Sequence, residues 1–204
     1  MPPEPVHAVT LTCHPETPTD AVRGMSARVR RNPGHRLAVS YLVKGDLERL
    51  RVPAPRAPRA ADRLWEHTCC EIFIARKGAP AYHEYNFSPS GEWAAYAFAS
   101  YRAPRADEPQ PALPRPTITV HGSSGALELD AVISLDGLAQ SPGARLALAL
   151  SVVIEDSEGK LSYWALRHPS GKPDFHHPEA FALELPPTTP AAAAATPPRA
   201  GGER

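Results

Sequence analysis

Two glutamates, Glu71 and Glu84, fall in short apolar runs that read as neighbouring β-strands, and both runs carry aromatic residues. In an extended strand successive side chains point to opposite faces. Cys69, Glu71 and Phe73 therefore share one face, with Thr68, Cys70, Ile72 and Ile74 on the other. In the next run Tyr82, Glu84, Asn86 and Ser88 align, opposite His83, Tyr85 and Phe87. Later in the chain Ser162, Trp164 and Leu166 align. A face combining Glu71, Glu84, Asn86 and Trp164, with Trp65 just upstream, is too polar for a plain core and too aromatic for a plain solvated surface. That mixture suits a concave small-ligand site, where aromatic plates give apolar contact and carboxylate or amide groups fix orientation. Sugars are held in this way, C–H faces on rings and hydroxyls on Asp, Glu, Asn or Arg. The same two acids would also serve a glycosidase, whose catalytic carboxylates stand about 5–9 Å apart.

Other residue types carry weaker patterns. His168, Asp174, His176 and His177 gather in a Pro/Gly-rich segment, without the spaced set of ligands of a known metal scaffold. Met25 alternates with polar neighbours and reads first as a core strand residue. Cys13, Cys69 and Cys70 are odd in number and irregular in spacing, which predicts free thiols in place of a disulfide framework. The chain has no nucleophile elbow, no phosphate-cradling glycine loop and no dinucleotide fingerprint.

The elements that must position these residues are strands. Period-two alternation or β-rich runs mark residues 6–13, 25–31, 36–43, 68–75, 82–87 and 92–99. Further runs lie at 127–135, 146–154, 161–166 and 181–185. Asn32-Pro33-Gly34, Lys77-Gly78-Ala79-Pro80, Ser88-Pro89-Ser90-Gly91 and Glu155–Lys160 read as turns. Residues 53–62 and roughly 103–116 read as Pro-rich loops. No helical period persists, and 25 prolines would interrupt one. The prediction is an all-β, antiparallel β-sandwich of jelly-roll or immunoglobulin-like two-sheet architecture. It spans residues 1–185, followed by a Pro/Ala-rich disordered tail over 186–204.

Composition narrows the partners. Lys+Arg and Asp+Glu each number 22, so the net charge is zero and gives no reason to expect nucleic acid or an anionic membrane. Basic residues cluster only at Arg28, Arg30, Arg31 and at Arg51, Arg56, Arg59. No apolar run approaches the roughly 20 residues of a spanning helix, and no signal-peptide pattern opens the chain, so a cytoplasmic location is expected. Oligomeric state is not written in the sequence.

Three strings are distinctive: Leu64-Trp65-Glu66-His67-Thr68-Cys69 with Glu71-Ile72-Phe73, Tyr82-His83-Glu84-Tyr85-Asn86-Phe87-Ser88-Pro89-Ser90-Gly91-Glu92-Trp93-Ala94-Ala95-Tyr96, and Leu161-Ser162-Tyr163-Trp164-Ala165-Leu166. His168-Pro169 and Lys172-Pro173-Asp174-Phe175-His176-His177 follow. Together they resemble the bacterial DOMON-like proteins, relatives of the family 9 carbohydrate-binding modules, over residues 6–185. The resemblance implies a β-sandwich that binds either a sugar or a haem. Some related modules hold a structural calcium, for which Asp46, Asp62, Glu155 and Asp156 are oxygen donors that nothing in the sequence selects. The expectation here is a ligand binder that is not itself a catalyst. The resemblance also implies that Trp65 and Trp164 sandwich a sugar, with Glu71 six residues after the first tryptophan. Where those relatives carry an arginine and an asparagine two residues apart, this chain has Glu84 and Asn86. Tyr82, Trp93, Arg102, His168 and His176 complete the candidate ligand-binding set, and Met25 is the candidate haem ligand.

Overall fold

A computed structural model describes residues 5–105, 114–136 and 144–187. The described residues form twelve strands, all antiparallel to their neighbours: β1 (His7–Cys13), β2 (Val22–Asn32), β3 (Arg36–Gly45), β4 (Cys69–Arg76), β5 (Tyr82–Phe87), β6 (Trp93–Ser100), β7 (Ala103–Pro104), β8 (Thr117–Gly122), β9 (Ala126–Ser134), β10 (Leu146–Glu155), β11 (Leu161–Ala165) and β12 (Leu183–Leu185). They build two layers. One runs β8-β9-β3-β2-β1, and the other runs β7-β6-β5-β4-β10-β11, with β12 also on β10. Strand β1 belongs to both. Its first part, His7 to Leu11, pairs with β2, and Thr12 and Cys13 then pair with Ala165 and Trp164 of β11. This is the all-β sandwich that the alternation predicts.

The two layers differ in how they meet water. In β3 and β9 the buried positions alternate, Leu37, Val39, Tyr41, Val43 and Leu127, Leu129, Ala131, Ile133, so one face of that layer is solvated. Strands β4, β5 and β10 are buried at nearly every position, so the second layer is covered on both faces. One face meets the first layer through a core that includes Ile72, Tyr85, Leu150, Val152 and Trp164. The other face lies under the segment after β11, where Phe175 and Ala180 pack on Phe73, Tyr82, Ala149 and Val153. Tyr41 ties the layers together by donating its hydroxyl to the Glu71 carbonyl at 2.6 Å.

Two of the turns show why particular residues are needed. Gly91 has φ +89 in the β5–β6 hairpin, a conformation that L side chains rarely adopt. Its N–H donates to the Ser88 carbonyl at 2.9 Å, closing the expected Ser88–Gly91 turn. Gly45 needs no such conformation. It lacks a side chain because a Cβ there would lie 2.3 Å from the Ala21 carbonyl oxygen.

Some expectations change. Residues 117–122, passed over after the Pro-rich loop, form β8 on the edge of the first layer, and the loop itself includes the two-residue β7. The middle of that loop, 106–113, and tail residues 188–204 lie outside the described residues. Cys13, Cys69 and Cys70 are free thiols, as their spacing predicts.

Candidate functional site

The covered face of the second layer holds a cleft of about 370 Å³. Strand register decides who lines it. Glu71 on β4 faces Ser151 on β10 and Asn86 on β5, and Glu84 on β5 stands opposite Tyr96 on β6. Glu71 and Glu84 are thus diagonal neighbours on one face of adjacent strands. Val153 of β10 and Tyr163 of β11 are register partners and extend the floor. Trp65 stands at the side on a short 3-10 turn, Leu64–Glu66, packing edge-on to Tyr96 at 5.5 Å between ring centroids. The remaining wall is a strap, residues 172–177, which brings Pro173, Phe175 and His176 over the sheet.

The strap is fastened by one carboxylate. Asp174 accepts hydrogen bonds from Arg102 Nη2 at 2.8 Å, from the Tyr101 hydroxyl at 2.6 Å and from the His176 N–H at 3.1 Å. Arg102 lies in the turn between β6 and β7 at φ 52, and its own N–H donates to the Tyr82 hydroxyl oxygen at 3.1 Å. The same Tyr82 hydroxyl is hydrogen-bonded to His176 Nδ1 at 2.8 Å. The other ring nitrogen, Nε2, points towards Glu84 Oε2 at 3.7 Å.

Charge in the cleft is unusual. Glu71 and Glu84 are 2% and 5% exposed. Burial, and then the neighbouring Glu84, push the Glu71 carboxyl well above the ordinary carboxylate range, against a hydrogen bond from Ser151. Burial likewise raises Glu84, opposed by Asn86 Nδ2, which donates to Oε1 at 2.9 Å, and by the charge of Arg102. His176 does not neutralise Glu84 at pH 7, because burial and Arg102 hold its imidazole down to about 4. The 3.7 Å approach is therefore a contact of neutral imidazole, not an ion pair. Asn86 is fully buried, and its Oδ1 has no partner among the described residues.

Of the candidates from sequence, Trp65, Glu71, Glu84, Arg102 and His176 line the cleft. Asn86 and Tyr82 support it through their bonds to Glu84 and His176. Trp164 does not share this face. It pairs with Val152 and Cys13, is 7% exposed in the inter-sheet core, and donates Nε1 to Ser162 Oγ at 3.2 Å. The arrangement of two tryptophans facing across a gap is therefore corrected, because β11 presents Tyr163 and not Trp164 to the cleft. Trp93, paired with Phe87, also points into that core. His168 lies elsewhere, donating Nε2 to the Thr12 carbonyl at 2.8 Å and edge-on to His14.

The cofactor candidates resolve in the same way. Met25 is 3% exposed in the inter-sheet core, in register with Leu11 and Val43, so a haem edge could reach its sulfur only by displacing that core. These residues do not fit a haem site. Asp46 caps a 3-10 turn, Asp62 accepts from Tyr96, Glu155 pairs with Arg51 and His67, and Asp156 closes the following turn. Among the described residues no group of three or more His, Cys, Asp or Glu gathers around a common point.

Tyr96, Phe98, Val153, Tyr163, Pro173 and Phe175 line the cleft and were not selected from sequence. For Tyr96 and Phe98 a signal existed. Closing the hairpin at Ser88–Gly91 places Tyr96 opposite Glu84 and Phe98 opposite Tyr82. Phe175 and Pro173 carry no periodicity, since they sit on an irregular strap.

No protein-family profile matches the chain, and no curated protein matches it in sequence. Solved structures of similar fold do exist. A Bacteroides uniformis protein, provisionally described as carbohydrate-binding, superposes with a TM-score of 0.57 at 15% identity, covering 86% of this chain and 83% of its own. A family 9 carbohydrate-binding module from Caldicellulosiruptor kristjanssonii, in complex with glucose, gives a TM-score of 0.57 at 12% identity, covering 89% of this chain and 84% of its own. A family 9 module from the same organism with cellotriose gives 0.54 at 12% identity, covering 81% and 75%. At such identities the likeness establishes the fold.

Proposed function

We propose that the protein is a non-catalytic β-sandwich that binds a carbohydrate in the cleft between Trp65 and the 172–177 strap. One observation carries this reading. Trp93 and Trp164 are each 7% exposed, whereas Trp65, beside the buried carboxylates, is 39% exposed. An indole left in water beside an aromatic-walled cleft offers a face that a sugar's C–H surface can cover. Glu71, Glu84 and the His176 ring nitrogen Nε2 then supply polar partners for hydroxyls. A volume of about 370 Å³ is at the small end of ligand pockets, roughly 300–1,000 Å³, and suits a short ligand. The fold likeness supports the reading, since two of the similar structures hold glucose and cellotriose.

Calorimetric titration with glucose, cellobiose and cellotriose tests the proposal. Binding that quenches or shifts tryptophan fluorescence, and is lost in Trp65→Ala, is the expected result. Absence of binding to any mono- or oligosaccharide would overturn it. Hydrolysis of nitrophenyl glycosides that vanishes in Glu71→Gln or Glu84→Gln would overturn the non-catalytic part.

A further inference from the structure

The charge of the cleft says more about the ligand than its shape does. Among the described residues Glu71 has one side-chain hydrogen bond, from Ser151 Oγ to Oε2 at 3.2 Å, and no basic partner. Glu84 has one from Asn86 and no Lys or Arg within ion-pair distance. The ionisable groups facing the pair are His176, Arg102 and Asp174 above, Tyr82, Tyr96 and Tyr163 at the sides, Cys69 on the strand of Glu71 itself, and Cys70 and Tyr41 on the inter-sheet side. Only Arg102 is a cation, and Asp174 already takes its guanidinium at 2.8 Å. Among the described residues, two carboxyl groups therefore share an aromatic-walled cleft whose one cation, Arg102, is already paired with Asp174 and reaches Glu84 only as a charge at a distance.

From this we infer that the cleft selects a protonated amino sugar, whose ammonium group binds between Glu71 and Glu84 while its ring lies against Trp65, Tyr163 and Phe175. The inference rests on the carbohydrate reading and narrows its ligand class. A neutral hydroxyl can donate to one carboxyl oxygen but adds no charge that would let both groups ionise. An ammonium group supplies three donors and the missing charge together. The ring faces that line the site carry negative quadrupoles, so they attract the same cation and do not oppose it. Raised carboxyls fit this arrangement: without a cation the pair retains protons at a pH where ordinary glutamates have lost them. Binding of an already protonated amine expels those protons, from the carboxyl oxygens to the buffer.

Titration calorimetry on the full chain with glucosamine, glucose, N-acetylglucosamine and cyclohexylamine decides the matter. At neutral pH glucosamine is expected to bind about tenfold or more tightly than glucose or N-acetylglucosamine, a factor that corresponds to about 1.4 kcal/mol. Its heat should vary with the buffer's ionisation enthalpy in the sense of proton release, while that of glucose should not. Glu71→Gln and Glu84→Gln should each bring the glucosamine-to-glucose ratio towards one, with retained thermal midpoints showing that the variants fold. If glucose binds as well as glucosamine and neither releases protons, the inference fails and the carbohydrate reading stands. If no sugar binds, both fail. If cyclohexylamine matches glucosamine, the ammonium site survives and the sugar is removed from it.

Discussion

Trp65 and Trp164 are the same residue type put to opposite uses, and substitution separates them. Covering roughly 60 Å² of an exposed indole face at about 25 cal/mol/Å² is worth about 1.5 kcal/mol. Trp65→Ala is therefore expected to weaken sugar binding about tenfold, with little change in the thermal midpoint. Trp164→Ala opens a cavity in the inter-sheet core, where large-to-small changes of this kind cost about 3–5 kcal/mol, and should lower the midpoint strongly. Denaturation and titration curves on the two variants check both outcomes. Glu71 has a stability signature of its own. Its folded-state pKa lies above the unfolded value near 4.5, so the folded form binds more protons than the unfolded form as pH rises past that value. Its contribution is fully present below the unfolded pKa and is lost as pH climbs towards the folded one. Wild-type stability should accordingly fall from pH 5 to pH 8, and Glu71→Gln should flatten that fall in urea titrations run across the range.

Strand register explains which parts of the site could be read from the chain. Glu71, Glu84 and Asn86 lie on β4 and β5, where the strict period of two in an extended strand sets which residues share a face, and the turn between them keeps the two strands in step. The face of Trp164 depended on how β11 meets β10, and a slip of one residue moves every side chain to the other face. Ser162 beside Trp164 suggested a polar face, yet its hydroxyl is the indole's own acceptor inside the core. The strap was legible as a histidine-bearing loop but not as a wall, because its position rests on Asp174 meeting Arg102 and Tyr101 across more than seventy residues of chain. Strand β8 had the β-branched residues Thr117, Ile118, Thr119 and Val120, and its nearness to the Pro-rich loop hid it. The strap also yields a test. Asp174→Ala removes three hydrogen bonds that hold it over the cleft, so sugar binding should weaken, and the amides of His176 and His177 should exchange faster with solvent. The core strands should keep their exchange protection, because no core residue is touched.

At the scale of the molecule, the sandwich is closed by contacts that belong to neither layer alone. β1 pairs with β2 in the first layer and with β11 in the second, and one apolar core draws on both. Beneath the cleft, Tyr41 on β3 donates to the backbone of Glu71, so the first layer helps to set the strand that carries the site. Among the described residues, the faces that meet between the layers pack mainly on each other. Loss of one layer would therefore expose the core face of the other, and the two are expected to unfold as a unit. Urea denaturation followed by tryptophan fluorescence, which reports on Trp93 and Trp164 in the second layer, should coincide with far-ultraviolet circular dichroism. Amides of β3 and β9, in the first layer, should show the same opening free energy as those of β4 and β10. Tyr41→Phe should lower that common value by about 1–3 kcal/mol, the cost of leaving a buried acceptor without its donor, while keeping a single transition. Two separated transitions, or exchange from β9 at a lower free energy than from β10, would mean that the layers are held together less tightly than β1 and Tyr41 require.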